Sequence, residues 1–110
     1  MNSRRRYERV PFFCDVSLSA LPEGAAVVAH SFDISLGGVG IVAQTALEPG
    51  RMVAVAFSLR DKSGAKVVNQ VNGRVARCDA DSDTNRLGIE FLVPLAESTS
   101  PQLVQRIMKI

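Results

Sequence analysis

A chain of 110 residues with 46% apolar and 22% charged positions has the size of one domain and enough apolar side chains for a core, which excludes wholesale disorder. The net charge of +2 is concentrated: residues 1–10 carry four arginines and one glutamate, whereas the other hundred hold 9 basic and 10 acidic groups, which excludes a uniformly basic nucleic-acid surface. No apolar run approaches the ~20 residues of a membrane span, and none follows the first Met as a leader, so a cytoplasmic domain without membrane insertion is expected.

In chain order, residues 1–10 read as an arginine-rich arm and 11–110 as a single folded domain. The arm is expected to be flexible, because its like charges repel and no partner is evident. CDVSLSA (14–20) alternates, with Cys14, Val16 and Leu18 on one face. LPEG (21–24) is a turn, and AAVVAHSFDIS (25–35) is a second extended run. LGGVG (36–40) reads as a break leading into the apolar GIVA (40–43), and EPG (48–50) as another turn. MVAVAFSL (52–59) puts Val53, Val55, Phe57 and Leu59 on one face.

KSG (62–64) is a hairpin loop, and KVVNQVNGRVARC (66–78) is long enough for a bent strand with a bulge near Gly73. DADSDTN (79–85) reads as a polar loop and RLGIEF (86–91) as the last strand. Ser100 then Pro101 look like an N-cap and first helical residue. Leu103, Val104, Ile107 and Met108 recur at helical spacing, so a short helix is expected over about 100–110. Six short strands and a closing helix predict an all-β fold, a small antiparallel barrel or sandwich; closure into a barrel removes exposed edges. Cys14 and Cys78 fit neither a CxxC nor a zinc spacing and are expected to be free thiols.

DISLGGVG (33–40) gathers Asp33, Ser35, Gly37, Gly38 and Gly40 on a strand-to-strand connection. One reading is a tight turn whose glycines need positive φ while Asp33 and Ser35 bond their own backbone. The other is a ligand site, with glycines admitting a ligand to the backbone and turn N–H groups forming an anion nest.

Arg5-x-x-x-Arg9, with Arg4 directly before it, precedes the first strand. An RRxxxR arm followed by a D-x-S-x-x-G turn, here Arg4, Arg5 and Arg9 with Asp33, Ser35 and Gly38, resembles the PilZ domain family over nearly the whole chain. The resemblance implies a six-stranded antiparallel barrel with a C-terminal helix. It also implies that the chain binds the bacterial second messenger cyclic di-GMP and is not an enzyme.

The residue chemistry suits that ligand, which has two guanines and two phosphates. An arginine fork matches guanine O6 and N7 or a phosphate, and a carboxylate accepts from guanine N1–H and the exocyclic amine. By resemblance, Arg5 and Arg9 contact phosphate and guanine, and Asp33 and Ser35 a guanine edge. Gly37 and Gly38 line the turn. An arginine in the position of Arg4 accompanies binding of two ligand molecules per domain. Arg6 and Tyr7 are assigned no role. The ligand is then expected to bridge arm and turn, altering a surface read by an effector protein in motility, secretion or polysaccharide synthesis. The domain itself is expected to be a monomer or weak homodimer. The remaining alternatives are a protein-interaction adaptor of the same family with weak or no nucleotide binding, and a small nucleic-acid-binding barrel.

Asp79, Asp81, Asp83, Asn85 and Glu90 match the spacing of a calcium loop, but Thr84 stands where the sharp turn needs glycine. His30, Asp33 and Ser35 are triad residue types, yet neighbouring strand positions do not supply triad geometry. No metal or cofactor is expected. Nucleic-acid-binding barrels stack bases on aromatic platforms, whereas this chain has one Tyr, no Trp and five Phe, mostly at core-like positions.

Overall fold

Alternation of apolar and polar side chains gives most strands one inward face, and in the computed structural model, which describes residues 7–108, six strands wrap around a shared core. They are β1 (Val10–Ala20), β2 (Ala26–Ser35), β3 (Gly38–Ala43), β4 (Met52–Arg60), β5 (Lys66–Asp81) and β6 (Thr84–Phe91), followed by α1 (Pro101–Met108). The order around the closed barrel is β1-β2-β3-β6-β5-β4, with every neighbouring pair antiparallel. β1 pairs with β2 on one side and β4 on the other, so the sheet has no free edge.

The period-2 faces point inward as expected. Val53, Val55, Phe57 and Leu59 of β4 meet Val16 and Leu18 of β1, Ile41 of β3 and Leu87 of β6 in the core. Leu103, Val104 and Ile107 of α1 join this cluster, so the helix packs its apolar face on the barrel core. Met108, expected on the same face, is 69% exposed and lies outside it.

Ser100 occupies the N-cap position, its carbonyl accepting the Val104 N–H at 3.0 Å. The Leu103 N–H is taken by the side-chain oxygen of Asn69, at 3.4 Å, while the Asn69 amide donates to Gln102 at 2.9 Å. A buried residue of β5 thus performs the capping expected of the Ser100 hydroxyl.

Several boundaries differ from the expected ones. β1 begins at Val10, inside the expected arm of residues 1–10. The break at 36–40 shrinks to Leu36 and Gly37, because Gly38 already pairs with Ser35 and Glu90. The β5 bulge falls between Val75 and Arg77, opposite β6, and not at Gly73. Gly73 lies in regular pairing; a Cβ there would meet the Glu90 carbonyl oxygen at 2.7 Å, so close strand approach demands the glycine. The loop expected at 79–85 is a hairpin turn of Ser82 and Asp83, with Ser82 in the left-handed region at φ 55°; Asp79 and Asp81 belong to β5 and Glu90 to β6.

Cys14 and Cys78 are free and half-buried, as expected. Burial pushes the Cys14 thiol above its usual value of 9.0. The unfolded thiol therefore ionises first. The stability this contributes is complete below pH 9 and is lost as pH rises through the folded value. Thermal unfolding between pH 8 and 11 should show a steeper decline for the native chain than for Cys14→Ala. Separately, Asn69→Ala should lower stability by about 1 kcal/mol and the melting temperature by about 5 °C, with the loss localised to α1 amides in hydrogen exchange.

Candidate ligand-binding cleft

Barrel closure places the entry to β1 beside the far end of β2, where Val10 pairs with Ile34 and Pro11 with Asp33. Arg9, one residue before β1, therefore reaches Asp33 across 24 positions of sequence. Its Nε donates to Asp33 Oδ2 at 3.2 Å and its Nη2 to Oδ1 at 2.9 Å. Both side chains remain about 30% exposed. Two parallel bonds fix the guanidinium in the plane of the carboxylate. Arg9 was expected to lack a partner in the absence of ligand; β1 instead delivers it directly to one.

Asp33 faces outward because β2 is irregular there. Ala29 and Ser31 are buried, so strict alternation would send Asp33 into the core. The register shift between Ser31 and Asp33 turns both Phe32 and Asp33 towards the outside. The Ser31 hydroxyl donates to the Phe12 carbonyl at 2.7 Å across the matching irregularity in β1.

The glycines serve close approach rather than unusual backbone. Positive φ occurs, among the described glycines, at Gly50 and Gly64 and not in the 33–40 stretch, which corrects that reading of the turn. A Cβ on Gly38 would meet the Ile89 carbonyl oxygen at 2.5 Å, and one on Gly37 the Tyr7 ring at 2.7 Å. A Cβ on Gly40 would meet the Phe32 ring at 2.5 Å and Asp33 Oδ1 at 2.6 Å, so Gly40 leaves room for that carboxylate.

Ser35 is 3% exposed and does not line the cleft; its Oγ accepts the Gly37 N–H at 3.1 Å. It holds the turn from beneath, and the Gly37 N–H is already engaged rather than presented as an anion nest. The turn is also anchored by Phe91 N–H on the Gly37 carbonyl at 2.9 Å and Leu95 N–H on the Leu36 carbonyl at 2.8 Å.

An open cleft of about 720 Å³ runs from Arg9 and Asp33 across Gly37, Gly38 and Gly40 to β5 and β6. That volume suits a small-molecule ligand. Arg77, Arg86 and Phe32 line its further part. The Arg86 guanidinium carbon sits over the Phe32 ring, 5.2 Å from its centroid, a cation–π contact inside the cleft. Sequence reasoning missed Tyr7, Phe32, Arg77 and Arg86. The one available signal was the arginine opening RLGIEF; what makes it a cleft residue is its cross-strand position facing Asp79.

The cleft's charged lining balances: Arg9, Arg77 and Arg86 against Asp33, Asp79 and Glu90. Glu90 is paired with Arg74 at 3.3 Å and Asp79 with Arg77 at 3.6 Å. Arg4 and Arg5, expected to complete the site, lie outside the described residues. Among the described residues, no group of three or more metal-ligating side chains could hold an ion, and no helix is long and apolar enough to cross a membrane.

A protein-family model described as PilZ domain matches residues 3–109. No curated protein matches in sequence. Among solved structures, the chain resembles the inhibitor of motility of Bacillus subtilis with a TM-score of 0.74 and 19% identity, covering 98% of this chain and 53% of that one. It thus spans about half the length of that protein. The PilZ domain of YcgR from Escherichia coli, solved with c-di-GMP, matches with a TM-score of 0.71 and 22% identity over 97% of this chain and 91% of that one. The PilZ domain of CeSA from a cellulose-synthesizing bacterium matches with a TM-score of 0.65 and 15% identity over 93% and 96%.

The two turn glycines should respond differently to alanine. Gly38→Ala pushes against backbone and should cost about 1–3 kcal/mol in chemical denaturation. Gly37→Ala meets only a ring that can swing aside, so it should cost less while changing the emission of Tyr7, the single tyrosine in a chain without tryptophan.

Proposed function

The chain belongs to the PilZ domain family, and on that premise we propose that it is a receptor for cyclic di-GMP. The observation that carries the proposal is the meeting of Arg9 and Asp33, one from each half of the two-part motif, at the mouth of a cleft of ligand size. The role is binding rather than catalysis: the ligand is held, and a surface changes.

Arg9 and Arg5 take phosphate and the O6/N7 edge of guanine, where a planar fork of donors is matched by paired acceptors. Ser35 supports the turn from below, and Gly37 and Gly38 keep it low enough for the ligand to pass. Arg4 adds a stacking cation for a second ligand molecule, and Arg86, over the Phe32 ring, offers a further cation in the same cleft.

Because the described lining is electrically balanced, attraction for a dianion falls to Arg4, Arg5 and Arg6 of the arm. The ligand bridges arm and barrel, and the surface around Tyr7 and the Leu36–Gly37 turn changes with it. That altered surface is what an effector protein reads.

Calorimetric titration with cyclic di-GMP should give saturable binding at moderate salt with a ratio near two ligands per chain. Arg9→Ala should weaken it by about 1–3 kcal/mol. Arg4→Leu should move the ratio towards one while binding persists. A single-stranded oligonucleotide should bind weakly, with a steep salt dependence. Absence of binding by the unmodified chain would refute the receptor reading and leave the adaptor.

A further inference from the structure

We propose that Asp33 acts on the ligand through Arg9: its carboxylate is the positioning group that holds the Arg9 guanidinium with its end-on edge towards the cleft. This rests on the receptor reading and adds a division of labour within it.

A guanidinium has five N–H groups arranged along two bidentate edges, a side edge (Nε and Nη2) and an end edge (Nη1 and Nη2). The pair with Asp33 uses the side edge: Nε to Oδ2 at 3.2 Å and Nη2 to Oδ1 at 2.9 Å. The end edge, with one N–H from each terminal nitrogen, has no hydrogen-bond partner among the described residues, and Arg9 lines the cleft. It has the spacing for two phosphate oxygens or for guanine O6 and N7. Arg9 can therefore keep Asp33 and take ligand at the same time.

The fold is arranged to present the carboxylate for this purpose. The bulge at Phe32 turns Asp33 outward, pairing with Pro11 fixes it opposite the start of β1, and Gly40 vacates the space its Oδ1 occupies. A long flexible side chain held in one conformation beforehand loses less freedom on binding. The contribution of Asp33 to affinity is then conditional on Arg9, whereas a carboxylate reading guanine directly contributes whether Arg9 is present or not.

A double-mutant cycle separates these. Affinity for cyclic di-GMP is measured for the native chain, Arg9→Ala, Asp33→Ala and the double variant, with melting temperatures recorded for each. Asp33→Ala is expected to weaken binding about tenfold in the native background and less than about threefold in the Arg9→Ala background. The tenfold factor is also expected to persist for the cyclic dinucleotide with hypoxanthine in place of guanine, which lacks the exocyclic amine. Equal factors in the two backgrounds, or a factor that disappears with the hypoxanthine ligand, would overturn the positioning role while leaving the receptor reading intact. In the ligand-free protein, nitrogen-15 spectra should show a protected Arg9 Nε–H that is lost in Asp33→Asn; an unprotected signal in the native chain would also overturn it. If the native chain binds neither ligand, the receptor reading fails and this inference with it, even if the protected Nε–H is present.

Discussion

β1 carries two partners. Val10 to Ser19 pair with β2, and Val16 to Ala20 pair with β4, so a single strand closes the sheet into a barrel. This double pairing does more than remove an edge. It fixes the start of β1 against the end of β2, and everything at the cleft follows from that register. Arg9 meets Asp33 because Pro11 sits opposite Asp33. Tyr7 lies over Gly37 because the chain entering β1 must pass the β2–β3 turn. A slip of one residue would send Asp33 towards the core and break the pair.

The barrel also explains why the site's supporting residues are small. Three strands converge at the turn: β2 and β3 are joined there, and β6 returns beside β3. Gly38 lies against the backbone of β6, Gly37 beneath Tyr7, and Gly40 beside Phe32 and Asp33. Each glycine answers a contact from a different direction. Ser35, buried and bonded to the Gly37 N–H, belongs to this supporting layer more than to the cleft surface. The site is a rigid floor made of small residues, with charged groups entering from its rim.

Its electrostatics are those of a prepared site rather than of an attractive field. Three arginines and three carboxylates line the cleft, and several of them already pair with one another. Among the described residues the barrel therefore contributes geometry more than net charge: one arginine is paired with Asp33 and another lies over the Phe32 ring.

Local sequence determined a good deal. Extended apolar and alternating runs located the six strands, and period 2 gave the inward faces of β1 and β4, because alternation alone decides which side chains of such a strand leave water. The change to helical spacing after Ser100 located α1. The paired RRxxxR and D-x-S-x-x-G spacings, through their family resemblance, nominated Arg5, Arg9 and Asp33 as candidate ligand contacts. Tertiary structure decided what the glycines are for, because contacts with Ile89, Tyr7 and Phe32 arise only when distant strands meet. It also decided that Asn69 caps α1, that Asp33 points outward through a bulge, and that Arg86 and Phe32 share the cleft. Each of these depends on register between strands far apart in sequence, which alternation within one strand cannot encode. Where β1 closes on its two neighbours, that register becomes fixed, and Arg9 and Asp33 are brought together.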